Sequence, residues 1–371
     1  MKATRRYAAG LAAIVTTVSG LLAGTAGGAS AAGDPSFIGP LHTTTVLTST
    51  VPGNGDQNPY GVAVIPLTNG DLFQGNVLVS NFNDEKNVQG TGTTIVEVTP
   101  SGHKWVFAQI NRNLPGCPGG VGLTTALTAL RSGWVIVGSL PTQGGAISGS
   151  GCLIVLSSFG QVEETFAGGP INGPWDLASV DQGNQAVLFV TNVLNGTVAA
   201  KGKTVFGGTV VRLVVSIPPA SLPFITSATV IGSGFPETLN SSALVIGPTG
   251  DAFNPNGVLY VADTLANRIA GIPDAMSRTS SAGRGFTVSA GDHINGELGL
   301  VLAPDGDILT VNGGNGLLVE VTPSGAQIAI RLLDKTGSPP GVGALFGLAV
   351  KPGHDAVYYV DDNTNTLDLL F

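Results

Sequence analysis

One short pattern returns six times along this chain. Six runs of small and branched residues can be aligned on one another. They are Gly61-Val62-Ala63-Val64-Ile65-Pro66, Ala126-Leu127-Thr128-Ala129-Leu130, Leu177-Ala178-Ser179-Val180, Ala243-Leu244-Val245-Ile246-Gly247-Pro248, Gly299-Leu300-Val301-Leu302-Ala303-Pro304 and Gly347-Leu348-Ala349-Val350-Lys351-Pro352. A second strand-like run follows each, and five of these end in Asn or Asp, as in Asn76 to Asn81 and Ile308 to Asn312. Third and fourth runs follow, with the turn Thr-Pro-Ser-Gly repeated at Thr99 and Thr322. The clearest middle hairpin is Gly257 to Ile272, where Leu259 and Val261 alternate with Tyr260 and Ala262 before the polar turn at Asp263. A unit of four short strands cannot bury both faces alone, so repeated copies must pack on one another.

The expected fold is therefore all-β: a six-bladed β-propeller of four-stranded antiparallel blades. The repeat averages just under about 60 residues, longer than a minimal blade, with the excess in Asn195 to Gly208 and Pro218 to Glu237. The last blade runs out after a third strand at Leu367 to Phe371. The unassigned run Leu41 to Leu47 is predicted to supply its fourth and close the ring, since closure removes two exposed edges.

Composition narrows the function classes. With 55 Gly, 43% hydrophobic and 11% charged residues, the chain suits strands and tight turns and not disorder. A net charge of −8 with no basic stripe disfavours nucleic-acid binding. Arg5 and Arg6, the apolar run Ala8 to Leu22 and Ala29-Ser30-Ala31 read as a signal peptide over 1–31, exported by the Sec or the twin-arginine route. The propeller domain then occupies 32–371, with no membrane span after cleavage, and the chain is expected to be secreted and monomeric. Two cysteines, Cys117 and Cys152, fall in loops of the second blade that share one face, which predicts a disulfide in an oxidising compartment.

Tyr260-Val261-Ala262-Asp263 followed by Asn267-Arg268-Ile269 resembles the NHL-repeat signature, and the last two blades are similar to secreted bacterial NHL-type propellers. That resemblance implies the fold and leaves the activity open. The fold also resembles, more distantly, calcium- or zinc-dependent lactonases of the gluconolactonase group, which carry an acidic residue in a Glu-Gly-Pro-type lead-in to the first blade. Here the lead-in reads Asn58-Pro59-Tyr60-Gly61, without a carboxylate, while Asn172-Gly173-Pro174-Trp175-Asp176 is a partial look-alike in another blade.

Candidate ligand residues lie in the loops that enter the inner strands and join the second and third strands. The repeated strand-end Asn and Asp residues are expected to cap turns. Trp175, Asp176, His293 and Glu297 are not repeated in every blade, and they are the candidate ligand-binding set. Four histidines, of which only His293 is well placed, argue against a zinc site. No cofactor is required by the sequence, although Asn and Asp oxygens leave calcium open. The leading expectation is a non-catalytic extracellular binding or scaffold module for a small molecule, glycan or protein. The alternative is a metal-assisted hydrolase or lactonase using Asp176 or Glu297.

Overall fold

The computed structural model describes residues 35–371 except Leu123, Ser241, Ser242 and His354. The signal peptide expected over 1–31 lies outside the described residues. Six sheets of antiparallel strands follow one another along the chain. In five of them strand order follows sequence order from the axis outward, and the sixth takes its outer strand from the N-terminal end, the arrangement of a six-bladed propeller.

Blade one is built from Gln57–Val64, Val77–Asn83, Thr94–Val98 and Lys104–Gln109. Blade two has Leu127–Ala129, Val135–Ser139, Cys152–Leu156 and Val162–Ala167. Blade three has Pro174–Asp181, Gln185–Asn192, Val205–Ser216 and the long outer strand Phe224–Asn240. Blade four has Pro248–Phe253, Leu259–Asp263, Arg268–Ile272 and Phe286–Ala290. Blade five has Glu297–Leu302, Ile308–Asn312, Leu317–Val321 and Gln327–Leu332. Blade six has Leu345–Val350, Val357–Asp361 and Thr366–Leu370, and its outer strand is Thr44–Ser49 from the N-terminal end.

Thr44 pairs with Leu370 and Ser49 with Thr366, so the predicted closure is present. The strand starts later than expected because Leu41 turns inward with Ile38 and packs in the core between blades five and six. The middle strands are buried throughout, and apolar clusters between successive blades hold the ring. Cys117 and Cys152 form the expected disulfide, with Cα atoms 5.4 Å apart.

One strand assignment changes. The run Ala243 to Pro248 resembles an inner strand, but Leu244–Ile246 pairs with the outer strand of blade three, Thr238 opposite Ile246. Leu244 takes a φ of 61° and bends the chain there. The inner strand of blade four is Pro248–Phe253, which carries few β-branched residues and so lacks the expected composition.

The inner strands share a feature that shapes the axis. Their pairing with the second strands skips between Pro59 and Val62, Pro174 and Leu177, Pro248 and Asp251, Glu297 and Leu300, and Leu345 and Leu348. Each skip sets two residues against one, a β-bulge that turns the strand toward the axis. The bulged pairs are Tyr60-Gly61, Trp175-Asp176, Thr249-Gly250, Leu298-Gly299 and Phe346-Gly347; Thr125-Ala126 occupies the same level in blade two. Glycine is needed at the second position because the next blade's backbone touches it. A methyl group on Gly347 would overlap the Tyr60 carbonyl oxygen, and one on Gly250 the Leu298 carbonyl oxygen.

Candidate functional site in the central channel

The two bulge residues point to different levels of the axis. The first of each pair fills it. Tyr60, Trp175, Leu298 and Phe346 are buried, and so are Thr125 and Thr249. Tyr60 meets Phe346 at 5.3 Å and Trp175 at 5.8 Å between ring centroids, and Phe82 lies 6.0 Å from Phe346. The Trp175 indole N–H donates to the Tyr60 hydroxyl oxygen at 2.7 Å. These side chains, drawn from blades on several sides of the ring, form a plug across the channel.

Below the plug lies a cavity of about 250 Å³ to which the inner strands of all six blades contribute. Val62, Leu127, Leu177, Leu300 and Leu348 make an aliphatic wall. Val64, Val180, Phe253, Leu302 and Val350, nearer the strand ends, are half-buried, so the channel widens toward the face of the first-to-second strand turns. Two carboxyl groups interrupt this wall: Asp176 of blade three and Asp251 of blade four.

Asp176 stands where blades one, four, five and six place glycine. Its N–H donates to Thr191 Oγ1 at 3.0 Å, and Thr191 donates to the Thr249 carbonyl at 2.7 Å, which ties blade three to blade four. The Leu177 N–H donates to Asp176 Oδ1 at 2.8 Å. Burial pushes the Asp176 carboxyl up to about 7, against the pull of that N–H. Asp251 stands where the other blades place Val or Leu. It is 5% exposed, and neither carboxyl oxygen has a hydrogen-bond partner. Burial first, and the charge of Asp176 second, hold its carboxyl well above the usual range; the nearby Ala178 N–H opposes them only weakly. Burial and the same two carboxylates raise the Tyr60 phenol.

The four residues singled out in the sequence do not converge. Asp176 lines the cavity. Trp175, next to it, belongs to the plug. Glu297 is buried at the seam of blades four and five, where Oε1 accepts the Arg268 N–H at 2.8 Å. Beside it, Asp263 Oδ2 accepts from Arg268 at 2.7 Å and from Arg284 at 2.7 Å, a structural brace of the Gly257 to Ile272 hairpin. His293 is exposed on the loop into blade five; its N–H donates to Gln327 Oε1 at 3.0 Å and its carbonyl accepts from Asn312 at 2.6 Å. The strand-end amides and acids cap turns as expected: Asn192 Oδ1 accepts two N–H groups of the loop into its own blade, and Asp361 Oδ1 accepts the Thr364 N–H.

Asp251 was not anticipated, and a sequence signal for it exists. Gly250-Asp251 aligns with Gly299-Leu300 and Gly347-Leu348 once the bulge glycines are superposed. Assigning Ala243 to Pro248 as the inner strand hides that alignment.

Two groupings offer carboxylate oxygens to a hard cation. Asp305, Asp307 and Glu320 bring carboxylate oxygens within 4.8 Å of one another. However, Glu320 accepts from Ser36 Oγ at 2.5 Å and from the Phe37 and Ile38 N–H groups at 2.6 and 2.9 Å, so it serves to anchor the N-terminal segment. Asp176 and Asp251 also offer oxygens suited to a hard cation. They are oxygen donors on adjacent strands, and three of their four oxygens are free of backbone or side-chain hydrogen bonds.

No family model matches the chain, and no curated protein matches it. Solved structures do. A gluconolactonase from Xanthomonas campestris superposes with a TM-score of 0.54 at 13% identity, covering 88% of this chain and 88% of that one. The calcium-binding protein regucalcin from Agrobacterium tumefaciens gives 0.52 at 13%, over 88% and 95%. A PQQ-bound aldose sugar dehydrogenase from Streptomyces coelicolor gives 0.54 at 16%, over 88% and 98%. At these identities the likeness establishes the six-bladed fold. The expectation of a non-catalytic module is corrected: the named relatives in fold include a lactonase and a dehydrogenase, and the channel holds an uncompensated carboxyl pair that a scaffold would not need. The hydrolase alternative fits better.

Proposed function

We propose that the protein is a hydrolase acting on a small ester or lactone in the channel below the plug, with Asp176 and Asp251 as the reacting carboxyl pair. One observation carries this reading. Both groups sit in an aliphatic channel, and Asp251 has no hydrogen-bond partner. Burying a carboxyl group in that state is costly, and the same ring position is Val or Leu in the blades that only pack.

Asp176 and Asp251 would hold a hard divalent cation, which would polarise the substrate carbonyl. Without the cation, the Asp176 carboxyl, raised to about 7 by burial, can take or return a proton near neutral pH. Tyr60 accepts from Trp175, which leaves its own proton to donate to an oxygen in the cavity. The plug keeps water out from above. The fold shared with gluconolactonase and regucalcin supports the substrate class and the choice of a hard cation. Export, the NHL-type character of the blades and a single-chain state belong to the same proposal; the disulfide supports an oxidising location.

The test is a panel of lactones and esters assayed with calcium, magnesium or manganese and with chelator. Asp176→Asn and Asp251→Asn should each lower turnover at least about a hundredfold while the fold is retained. Folded protein with no turnover on any substrate, or full turnover in both variants, would sink the reading.

A further inference from the structure

Blade three carries the longest outer strand, Phe224–Asn240, and that strand with the connection 193–204 encloses a carboxylate that the channel does not use. Glu237 lies near the end of the outer strand, opposite Val205. It is fully buried, and neither side-chain oxygen has a hydrogen-bond partner. Among the described residues no cation compensates it; burial alone pushes it up to about 7, and only the nearby Asn195 N–H favours its charge.

Oxygen atoms of the neighbouring loops come close to Glu237. A side chain on Gly207 would come 2.9 Å from Glu237 Oε1 and would overlap the Asn195 carbonyl oxygen, so those two oxygens close on the same side of Gly207. A side chain on Gly247 would likewise come 3.0 Å from the Glu237 Cβ. The Asn172 amide nitrogen donates to Asn195 Oδ1, which leaves Asn172 Oδ1 buried and unpaired. Leu194, just before Asn195, has a φ of 75°, a left-handed conformation that a leucine adopts only when its surroundings impose it.

We propose that Glu237, the Asn195 carbonyl and the Asn172 side-chain oxygen form a second, structural site for one calcium ion, which pins the connection 193–204 to the outer strand of blade three. The donors are all oxygen, one charged and two neutral, and two come from loops. Calcium tolerates that mixture and irregular geometry, whereas magnesium demands near-octahedral order. With one carboxylate the site belongs among the weak extracellular class, with a Kd of about 10⁻⁴–10⁻³ M.

The connection carries its own reporters. Lys201 and Lys203 are exposed within it and are trypsin sites. Chelator-treated protein is digested with trypsin across a calcium titration, and cleavage at these two positions is followed by mass spectrometry. At ten times Kd, calcium should slow cleavage by about tenfold, because only the unliganded loop opens. Magnesium should protect less. Glu237→Gln, which keeps the shape and removes the charge, should abolish protection. Asn172→Ala, a change on a partly exposed loop, should move the calcium midpoint upward by at least about threefold and keeps the test open if the first variant misfolds. Asp176→Asn and Asp251→Asn should leave protection intact, which separates this site from the channel. No effect of calcium, or protection that persists in Glu237→Gln, would overturn the proposal. Cleavage that responds to pH near neutrality and not to calcium would also overturn it, and would leave a buried protonated carboxyl in place of the ion.

Discussion

Blades five, six and one differ from blades three and four at two consecutive residues, and the difference separates what the ring needs from what it carries. The first group reads Gly299-Leu300, Gly347-Leu348 and Gly61-Val62 after the first bulge residue. The second reads Asp176-Leu177 and Gly250-Asp251. Glycine lets the neighbouring backbone approach, and the aliphatic residue lines the channel. Each aspartate replaces one of those parts in a single blade, and the two departures fall side by side on adjacent strands. Local rules broken together in one place mark a site more credibly than either break alone.

The strongest way to break the comparison is on the glycine side. Gly347→Ala puts a methyl group into the Tyr60 carbonyl at the joint between blades six and one. The expected cost is about 3–5 kcal/mol, in the range reserved for overpacking that the backbone cannot relieve. Urea unfolding would measure it; a loss under about 1 kcal/mol would mean that the joint is loose and that glycine there is incidental. Asp176→Gly makes the opposite change at the same level and should fold normally, since the aspartate already shows that blade three has room.

Blade two is an intermediate case, with Ala126 at the bulge level and only Leu127–Ala129 as inner strand. It carries the Cys117–Cys152 crosslink, which closes a loop with a sequence separation of 35. Replacing both cysteines by serine should lower stability by about 2–4 kcal/mol. Equal stability of the oxidised and reduced forms would show that packing alone secures this blade.

Asp251→Leu sharpens the comparison, because it gives blade four the sequence of its neighbours. Removing an uncompensated buried carboxyl should raise stability by about 1–3 kcal/mol and at the same time abolish turnover. A variant that is destabilised would show that Asp251 holds the ring, and the contrast between the two groups of blades would then lose its functional meaning.

Most of the ring was legible because it rests on repetition. Five of six inner strands, the closing strand and the disulfide pair follow from local pattern and the need to join two edges. The fourth inner strand was not, because Ala243 to Pro248 has better strand composition than Pro248–Phe253, and composition carries no information about which edge a strand joins. The site suffered for the same reason. Asp176 stands out as a non-repeated residue, while Asp251 is visible only after the bulge glycines are aligned. Glu297 and His293 have the right chemistry for a ligand, but the backbone of blades four and five uses them first. Trp175 is drawn into the plug because it occupies the first bulge position, which also places Tyr60, Leu298 and Phe346 in the axis core.

The opposite end of the axis gives the finest test. At the end of the second strand, blades one, two and three place Phe82, Leu140 and Val193 in the plug cluster, and blade six places Asp362 at that position. Its N–H donates to the Ala344 carbonyl at 2.7 Å, while Oδ1 is buried without a partner. Burial, and then the charge of Asp361, push the carboxyl up to about 8. A folded-state value above the unfolded one means that the proton is bound more tightly in the fold. The contribution to stability is therefore complete below about pH 4 and is lost as pH rises through about 8. Asp362→Asn removes that linkage, so melting temperature should fall less steeply between about pH 5 and 9 in the variant, with the curves separating by about 2 °C or more at the alkaline end. Parallel curves would mean that Asp362 is hydrated, and that the plug ends before it reaches blade six.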